Sequence, residues 1–597
     1  VRATIRGQTG QSSLGQVEHE YAFLLGRLID QETLARAHEE AESSGVAPHD
    51  VLLARGWVAT DRYVEALSRH LSQVAWAGPR SPGSAIMLDA TSHRPAELGQ
   101  RIAAERAAGR AVLLVSPDAA QWGDLPVSRV QRAEDAARGF LRRYPNYSAG
   151  APVWLWQVLA GVAALGMAAG GLVIAPAATR YALTTLVALP FLFVVALRVL
   201  ALVLVVVTKV PPERRRRRAP DADLPVYTIL VPMLREAQVA ADFIAAARTF
   251  DYPPAKLDVI LILESVDIET QLAVGALDLP GFVRVVVVPD TAPRTKPKAL
   301  NFGLQLARGE CVAVYDAEDM PEPDQLRRAL AMFDAGIGPT CVQAQLNTYN
   351  ARANWLTRQF TLEYSALFDA ILPALAQIGM PLPLGGSSNH FPRHVLEQAG
   401  GWDPHNVTED ADLGIRIARQ GGHIAVLAST TWEEAPPTLA IWMRQRTRWI
   451  KGWLLTYLVH MRRPIRLLRE LGVKRFLGFQ VLMGGLILSS LVHPLFYLMM
   501  ALAVSDGTFM AAPESRLELV LLTLAGFNLA AGYLSAMALA ALAVCRRRRS
   551  SLALDALLMP FYWLLISMAA YRALAQVVRE PFLWEKTPHA SRSSGRR

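Results

Sequence analysis

Cysteine is nearly missing. Cys311, Cys341 and Cys545 are the only three in 597 residues, and no two of them form a C-x-x-C pair. This spacing indicates neither a disulfide framework nor a zinc site. Charge is scarce too: 19% of residues are charged and 52% are hydrophobic. That balance is too apolar for a purely soluble enzyme and too polar for a pure transporter. No basic-then-apolar secretory signal opens the sequence. The formal charge of +9 is concentrated in "ERRRRR" (213–218) and "CRRRR" (545–549), each directly after an apolar run. Basic clusters next to spanning segments mark the cytoplasmic side of a membrane, and this placement argues against nucleic acid as the partner. A chain of this length is expected to hold two or three domains.

Residues 1–150 read as a small, mainly helical cytoplasmic module. "LLGRLIDQETLARAHEEAESSG", around Gly26, is echoed about thirty residues later by "LLARGWVATDRYVEALSRHL", around Gly56. Each reads as a short helix, a glycine turn and an amphipathic helix. Over about residues 15–80 the pattern resembles the N-terminal domain of type II secretion ATPases, some relatives of which bind cyclic di-GMP. Those relatives carry Arg-Leu-Gly where this chain has Ala47-Pro48-His49. A docking or regulatory module is therefore the favoured reading over cyclic di-GMP binding.

Apolar runs near 153–176 and 181–208, within a segment 151–209, are each long enough to cross a hydrocarbon core. Further spans are expected near 486–504 and 516–544. A last apolar run, 553–577, contains Asp555 and Arg572 and is read as interfacial. The segment 456–597 thus holds interfacial helices, spans and a cytoplasmic tail.

Residues 210–455 change character. "VYTILVP", "LDVILILE", "VRVVVVP", "CVAVYDAED" and "CVQAQL" alternate with helical stretches, the rhythm of a mostly parallel sheet covered by helices. Ligands on such sheets bind at the carboxyl ends of strands. Acidic residues cluster there: Glu236 after the first strand, Glu264 at the second, and Asp316, Glu318 and Asp319 after the fourth. Carboxylate oxygens at a strand end suit Mg²⁺ or Mn²⁺. A single acidic loop is usually only solvated, so the order of the motifs carries the reading.

That order resembles membrane-embedded family 2 glycosyltransferases, the group of cellulose and hyaluronan synthases, over about residues 150–590. The resemblance implies a Rossmann-like, GT-A type α/β catalytic domain embedded between membrane helices of a bacterial inner membrane. It implies that Glu264 meets the nucleoside and that Lys296, or Lys298, meets the diphosphate. Asp316 and Glu318 would hold the metal, with Asp319 as a substitute for Glu318. In Thr408-Glu409-Asp410 it implies Asp410 as base with Glu409 beside it, and in Gln445-x-x-Arg448-Trp449 it implies a closing motif. Chemistry agrees: Arg448 offers a planar fork for phosphate oxygens and Trp449 a flat face for a sugar.

Bland readings stand beside these. Trp449 is also suited to a membrane boundary, Arg448 to a lipid headgroup, and Glu409 to a helix first turn. Where cellulose synthases have "FFCGS", this chain has Leu384-Gly385-Gly386-Ser387-Ser388-Asn389. Gly386, Ser387 and Asn389 are expected to line an acceptor pocket of different shape, so cellulose itself is not carried over.

The reading is a processive, inverting transferase using a UDP-sugar, UDP-glucose first, to extend and export an exopolysaccharide such as a beta-glucan. The growing glycan, the bilayer and an accessory export subunit are the partners. The alternatives are a non-processive polyprenyl-phosphate transferase and a secretion or signalling scaffold with an inactive transferase domain.

Overall fold

The computed structural model describes residues 14–71, 86–109, 112–115, 126–207, 218–334, 338–507 and 512–585. The arginines 214–217 and the tail beyond Glu585 lie outside the described residues.

Ten strands occur in chain order: β1 Ile86–Asp89, β2 Val112–Val115, β3 Tyr227–Met233, β4 Leu257–Glu264, β5 Val283–Val288, β6 Cys311–Val314, β7 Met320–Pro321, β8 Cys341–Thr348, β9 Asn389–Pro392 and β10 Ile424–Glu433. The eight from β3 onward form one sheet, ordered β5-β4-β3-β6-β9-β8-β10-β7. The pairs β3–β4, β3–β6, β4–β5 and β8–β10 are parallel, while β9 runs against β6 and β8, and β7 against β10. Alternate side chains of each strand leave on opposite faces. Ile229, Val231, Val259 and Leu261 pack one way with Phe243, Ile244 and Leu326; Leu230, Ile260 and Ile262 pack the other way with Leu300, Phe302 and Phe360. Both faces are covered, which is why these strands read as continuous apolar runs.

The sequence showed five of these strands. It did not single out β7, β9 or β10. β9 begins at Asn389, inside what reads as a turn. β10 contains the polar run Ser429-Thr430-Thr431, buried against the sheet, with an irregularity in its pairing between Leu427 and Thr430.

The N-terminal module follows the repeat. Gly26 and Gly56 both adopt positive φ (70° each) ahead of helices Gln31–Ser44 and Thr60–His70. β1 and β2, parallel and linked through helix Pro95–Ala107, add a small sheet that the helical reading had not included. The part of the module before residue 116 sits at the amino ends of β4 and β5, where Gly45 approaches Ala222, while helix Pro126–Arg143 packs on helix Lys296–Leu304. Lys256, immediately before β4, donates to the carbonyls of Asp221 (2.9 Å) and Ala222 (2.7 Å). A side chain at Gly281, shortly before β5, would meet the Leu53 carbonyl of the module at 1.7 Å.

Five segments among the described residues are long and apolar enough to cross a membrane: Leu155–Ile174, Pro176–Val207, Pro464–Ser505, Arg516–Arg546 and Ser550–Arg579. The second starts at Pro176, five residues earlier than read from hydropathy. The third is bent at Gly472 (φ 71°, ψ 166°), so Pro464–Leu471 points away from the apolar part. In the fifth, Asp555 pairs with Arg358 of the catalytic domain at 2.9 Å, and Arg572 pairs with Glu585 at 2.5 Å. Lys451 donates to the carbonyls of Glu580 (3.3 Å) and Leu583 (2.7 Å). Both ends of helix Met559–Arg579 are therefore held by the catalytic half.

Two arginines of "CRRRR" are bound to the catalytic domain. Arg547 grips Asp369 with two bonds (2.5 and 2.6 Å), and Arg549 donates to the Thr348 carbonyl at 2.8 Å. Both guanidinium groups lie near the Trp432 ring, at 5.7 and 5.0 Å. They lock the end of helix Arg516–Arg546 to β8 and β10. Asp369 is mostly buried, and burial pushes its carboxyl up against the pull of Arg547. Removing one partner of such a pair typically costs about 3–5 kcal/mol. Arg547→Ala is expected to lower thermal stability in detergent by that order, measured by tryptophan fluorescence; an unchanged midpoint would show the pair to be idle.

Candidate active site

A cavity of about 220 Å³ opens at the carboxyl ends of β3, β4, β6 and β10. Its wall includes Glu236, Glu264, Lys296, Asp316, Glu318, Gly386, Ser387, Glu409, Asp410, Gln445, Arg448 and Trp449. Twelve of the fourteen residues named from sequence thus meet in one place, brought from strand ends, helix starts, the loop before β9 and the interior of helix Leu439–His460.

Lys296 opens helix Lys296–Leu304 and reaches across the cavity. Its Nζ donates to Asp316 and to the Gly386 carbonyl (2.7 Å). Burial works against its charge, but Asp316, Glu409 and Asp410 outweigh this and hold its pKa above the ordinary lysine value. Gly386 lies against the reactive groups: a Cβ there would stand 3.3 Å from Asp410 Oδ2 and 3.7 Å from Lys296 Nζ. Any side chain would fill the space between Asp410 and Lys296.

Glu409 and Asp410 form the first turn of helix Glu409–Arg419. Burial raises both carboxyls, with Asp410 adding to the rise at Glu409, which is pushed up to about 8. The Ala411 amide, Lys296 and Arg448 pull Asp410 back down. The helix is fixed by a buried network: Asp412 accepts from Arg416 Nε (2.7 Å), and His460 Nε2 lies 3.1 Å from its other oxygen. The partners of His460 fix its tautomer, since Arg419 can only donate to Nδ1 (2.8 Å). Helix Leu439–His460, which carries Gln445, Arg448 and Trp449, is thereby registered against helix Glu409–Arg419. At Gly452 a Cβ would collide with Thr408 Oγ1 at 2.2 Å, so only glycine lets the two come this close.

Two expected residues do not face the cavity. Lys298 is fully buried and pairs with Glu264 at 2.7 Å, with a second bond to the Thr291 carbonyl. It holds Glu264 in place, and Lys296 is the lysine that reaches the cavity. Asn389, as the first residue of β9, is buried and donates to the Gly385 carbonyl at 2.6 Å. It shapes the glycine loop from behind. Ser387 lines the cavity, but its hydroxyl bonds to Asp319. Asp319 also accepts from the Asp316 amide (2.7 Å) and is buried away from the cavity, so it braces the acidic loop and is no stand-in for Glu318.

The sequence reading missed Glu433, Arg294, Tyr364 and Trp584 in the wall. Glu433 closes β10, and burial pushes it up to about 8, with Glu318 and Asp316 adding to the rise. A strand-end rule applied to "STTWEE" would have found it. Trp449 packs on Tyr364 (6.1 Å between centroids, 25° between planes), with the Arg446 guanidinium 4.9 Å from its ring. Arg448 lies 5.0 Å from the Trp584 ring.

Asp316 and Glu318 present hard oxygen donors at one end of the cavity. Among the described residues no cluster of three or more His, Cys, Asp or Glu side chains is arranged to hold an ion. Two protein carboxylates fit a cation of the Mg²⁺ type, which takes one or two carboxylates and completes its shell with water and substrate phosphate.

Residues 225–452 match the family model described as "Glycosyltransferase like family 2". The chain is 30% identical over 240 residues to the probable glycosyltransferase YdaM of Bacillus subtilis, covering 38% of this chain and 56% of that protein. It is 29% identical over 252 residues to the beta-monoglucosyldiacylglycerol synthase of Trichormus variabilis, covering 41% and 52%. It is 27% identical over 244 residues to probable glucomannan 4-beta-mannosyltransferase 6 of Oryza sativa, covering 40% and 42%. The chain spans about half the length of the curated relatives it matches. Among solved structures, it is similar to the mannosyltransferase PcManGT of Pyrobaculum calidifontis in complex with GDP-Man and Mn²⁺, at 21% identity over 51% of this chain and 87% of that chain, with a TM-score of 0.35. The segment 225–452 is thus similar to glycosyltransferases of family 2.

Proposed function

We propose that the protein transfers a sugar from a UDP-sugar to a hydroxyl acceptor at the membrane surface, with inversion at the anomeric carbon. One observation carries this: Asp410, Lys296, Asp316, Glu318 and Arg448 face a single cavity at the strand ends. Asp410 takes the acceptor hydroxyl's proton. Its raised pKa brings it nearer to neutrality, where a general base works best. Lys296 and Arg448 bind the leaving diphosphate, Arg448 through a fork matched to phosphate oxygens. Glu264, held by Lys298, orients the nucleoside. Asp316 and Glu318 would hold Mg²⁺ or Mn²⁺, which supplies charge neutralisation at the departing diphosphate.

The acceptor reading is an extending glycan. Trp449 and Tyr364 give it an aromatic platform, and Trp584, on Arg448, sits at the mouth. Helix Met559–Arg579 is read as lying along the cytoplasmic surface, since both its ends meet the catalytic half. Trp449→Ala is expected to shorten product several-fold while lowering UDP release much less, because water then competes for the donor; Arg448→Ala should lower both together. Equal losses in Trp449→Ala would reduce Trp449 to an anchor.

A second acceptor, a membrane lipid hydroxyl, is favoured by the apolar inner wall of Leu367, Phe368, Leu372 and Leu384 and by the glycolipid synthase among the relatives. Incubation of purified protein with labelled donor and bilayer lipid separates the two: polymer stays in the aqueous or insoluble fraction, whereas a glycolipid partitions into organic solvent.

Protonation of Asp410 removes the base. Its pKa lies above the ordinary carboxylate value, so turnover should fall on acidification at a pH above the usual carboxylate range. An acid limb at ordinary carboxylate pH would argue against Asp410.

A further inference from the structure

Arg198 stands in Pro176–Val207, whose most apolar 18-residue stretch has a mean hydropathy of 2.9. Among the described residues no carboxylate pairs with it. Its one hydrogen bond to protein is from Nη1 to the Gly532 carbonyl at 3.4 Å, and its Cζ lies 5.8 Å from the Trp563 ring. The side chain is partly buried. Beside it, Tyr533 bonds to both His493 and Tyr497 at 2.7 Å, and Trp563 packs on His493 and Tyr533 (5.9 and 5.2 Å). His493 is 9% exposed, yet its Nδ1 has no partner. Four helices thus converge on one permanent cation and one unsatisfied imidazole nitrogen, within otherwise apolar segments.

The level of the cluster identifies the partner. Val205 accepts from Arg546, whose neighbour Arg547 is fixed to the catalytic domain, so Val205 marks the cytoplasmic boundary. Arg198 lies seven residues deeper, about 10 Å along a helix. Arginine reaches back toward the interface from such depth, and tryptophan and tyrosine collect there. The anion available at that level is a phospholipid headgroup, and a guanidinium fork matches phosphate oxygens.

We propose that Arg198, with Trp563 beside it, forms a binding site for an anionic phospholipid of the cytoplasmic leaflet, its phosphate on Arg198. The site adjoins the transferase machinery: Tyr562, next to Trp563, bonds to Glu363 at 2.8 Å and accepts from Arg446 at 3.1 Å.

The test measures bound lipid and does not depend on the transferase reading. The full chain is equilibrated with vesicles of phosphatidylcholine mixed with phosphatidylglycerol, extracted, and its retained lipid counted by native mass spectrometry. Wild type is expected to retain phosphatidylglycerol preferentially, and Arg198→Gln to lose most of that preference. Arg180→Gln, at the other end of the helix, should match wild type. Arg198→Lys keeps the charge and should retain the preference at reduced occupancy, which carries the test if Arg198→Gln does not fold. Equal retention of the two lipids by wild type, or an undiminished preference in Arg198→Gln, overturns the proposal. Unchanged lipid retention with shortened product in Arg198→Gln would overturn it by placing Arg198 on a glycan path.

Discussion

Asp410→Asn should abolish turnover while leaving UDP binding within a few-fold of wild type. Asparagine keeps the size and the bond to the Ala411 amide but cannot accept the acceptor's proton. General-base catalysis of this kind is typically worth about 10²- to 10⁴-fold, and the loss should fall on kcat. The proposed diphosphate ligands Lys296 and Arg448 come from other elements, so nucleotide binding should survive. The Lys296 bonds run to Asp316 and Gly386, not to Asp410. Calorimetry with UDP beside a UDP-release assay decides it. Parallel loss of binding and turnover would make Asp410 a structural or metal group.

Removal of divalent metal should be nearly as severe. Glu318 and Asp316 face Glu433 across the cavity, and both push its carboxyl up. A diphosphate entering among these carboxylates meets repulsion that Lys296 and Arg448 only partly offset. A bound cation supplies several kcal/mol of charge stabilisation, so turnover in excess EDTA should fall by about 10²-fold or more, at roughly 1.4 kcal/mol per tenfold. Mg²⁺ or Mn²⁺ should restore it in wild type but not in Asp316→Ala. Full activity in EDTA would leave Asp316 as a partner for Lys296 alone.

Much of this site was legible because its residues close apolar strands or open helices, positions where the hydropathy pattern and the polar residue coincide. Asp316 and Glu318 after β6, Glu264 at the end of β4 and Asp410 at the start of a helix were of this kind. Legibility failed where choice depended on side-chain direction. Lys296 and Lys298 are two residues apart on one helical turn. Only the fold shows that one reaches the cavity and the other is buried on Glu264. Asn389 looked like a loop residue because the antiparallel β9 has no apolar run of its own. Glu433 was hidden by the polar middle of β10, where buried Thr431 and Ser429 bond to Gln325 instead of reading as core. The arginines after residue 545 were read for their charge, but Arg547 and Arg549 are spent on Asp369 and the β8 backbone.

UDP release from the purified full chain, assayed across a panel of UDP-sugars with Mg²⁺ or Mn²⁺ present, tests the central claim most directly. The predicted result is release with at least one UDP-sugar, abolished in Asp410→Asn, together with a product of inverted anomeric configuration. No release with any donor, while the protein still binds UDP, would contradict it and leave a transferase domain that has kept its pocket without its reaction.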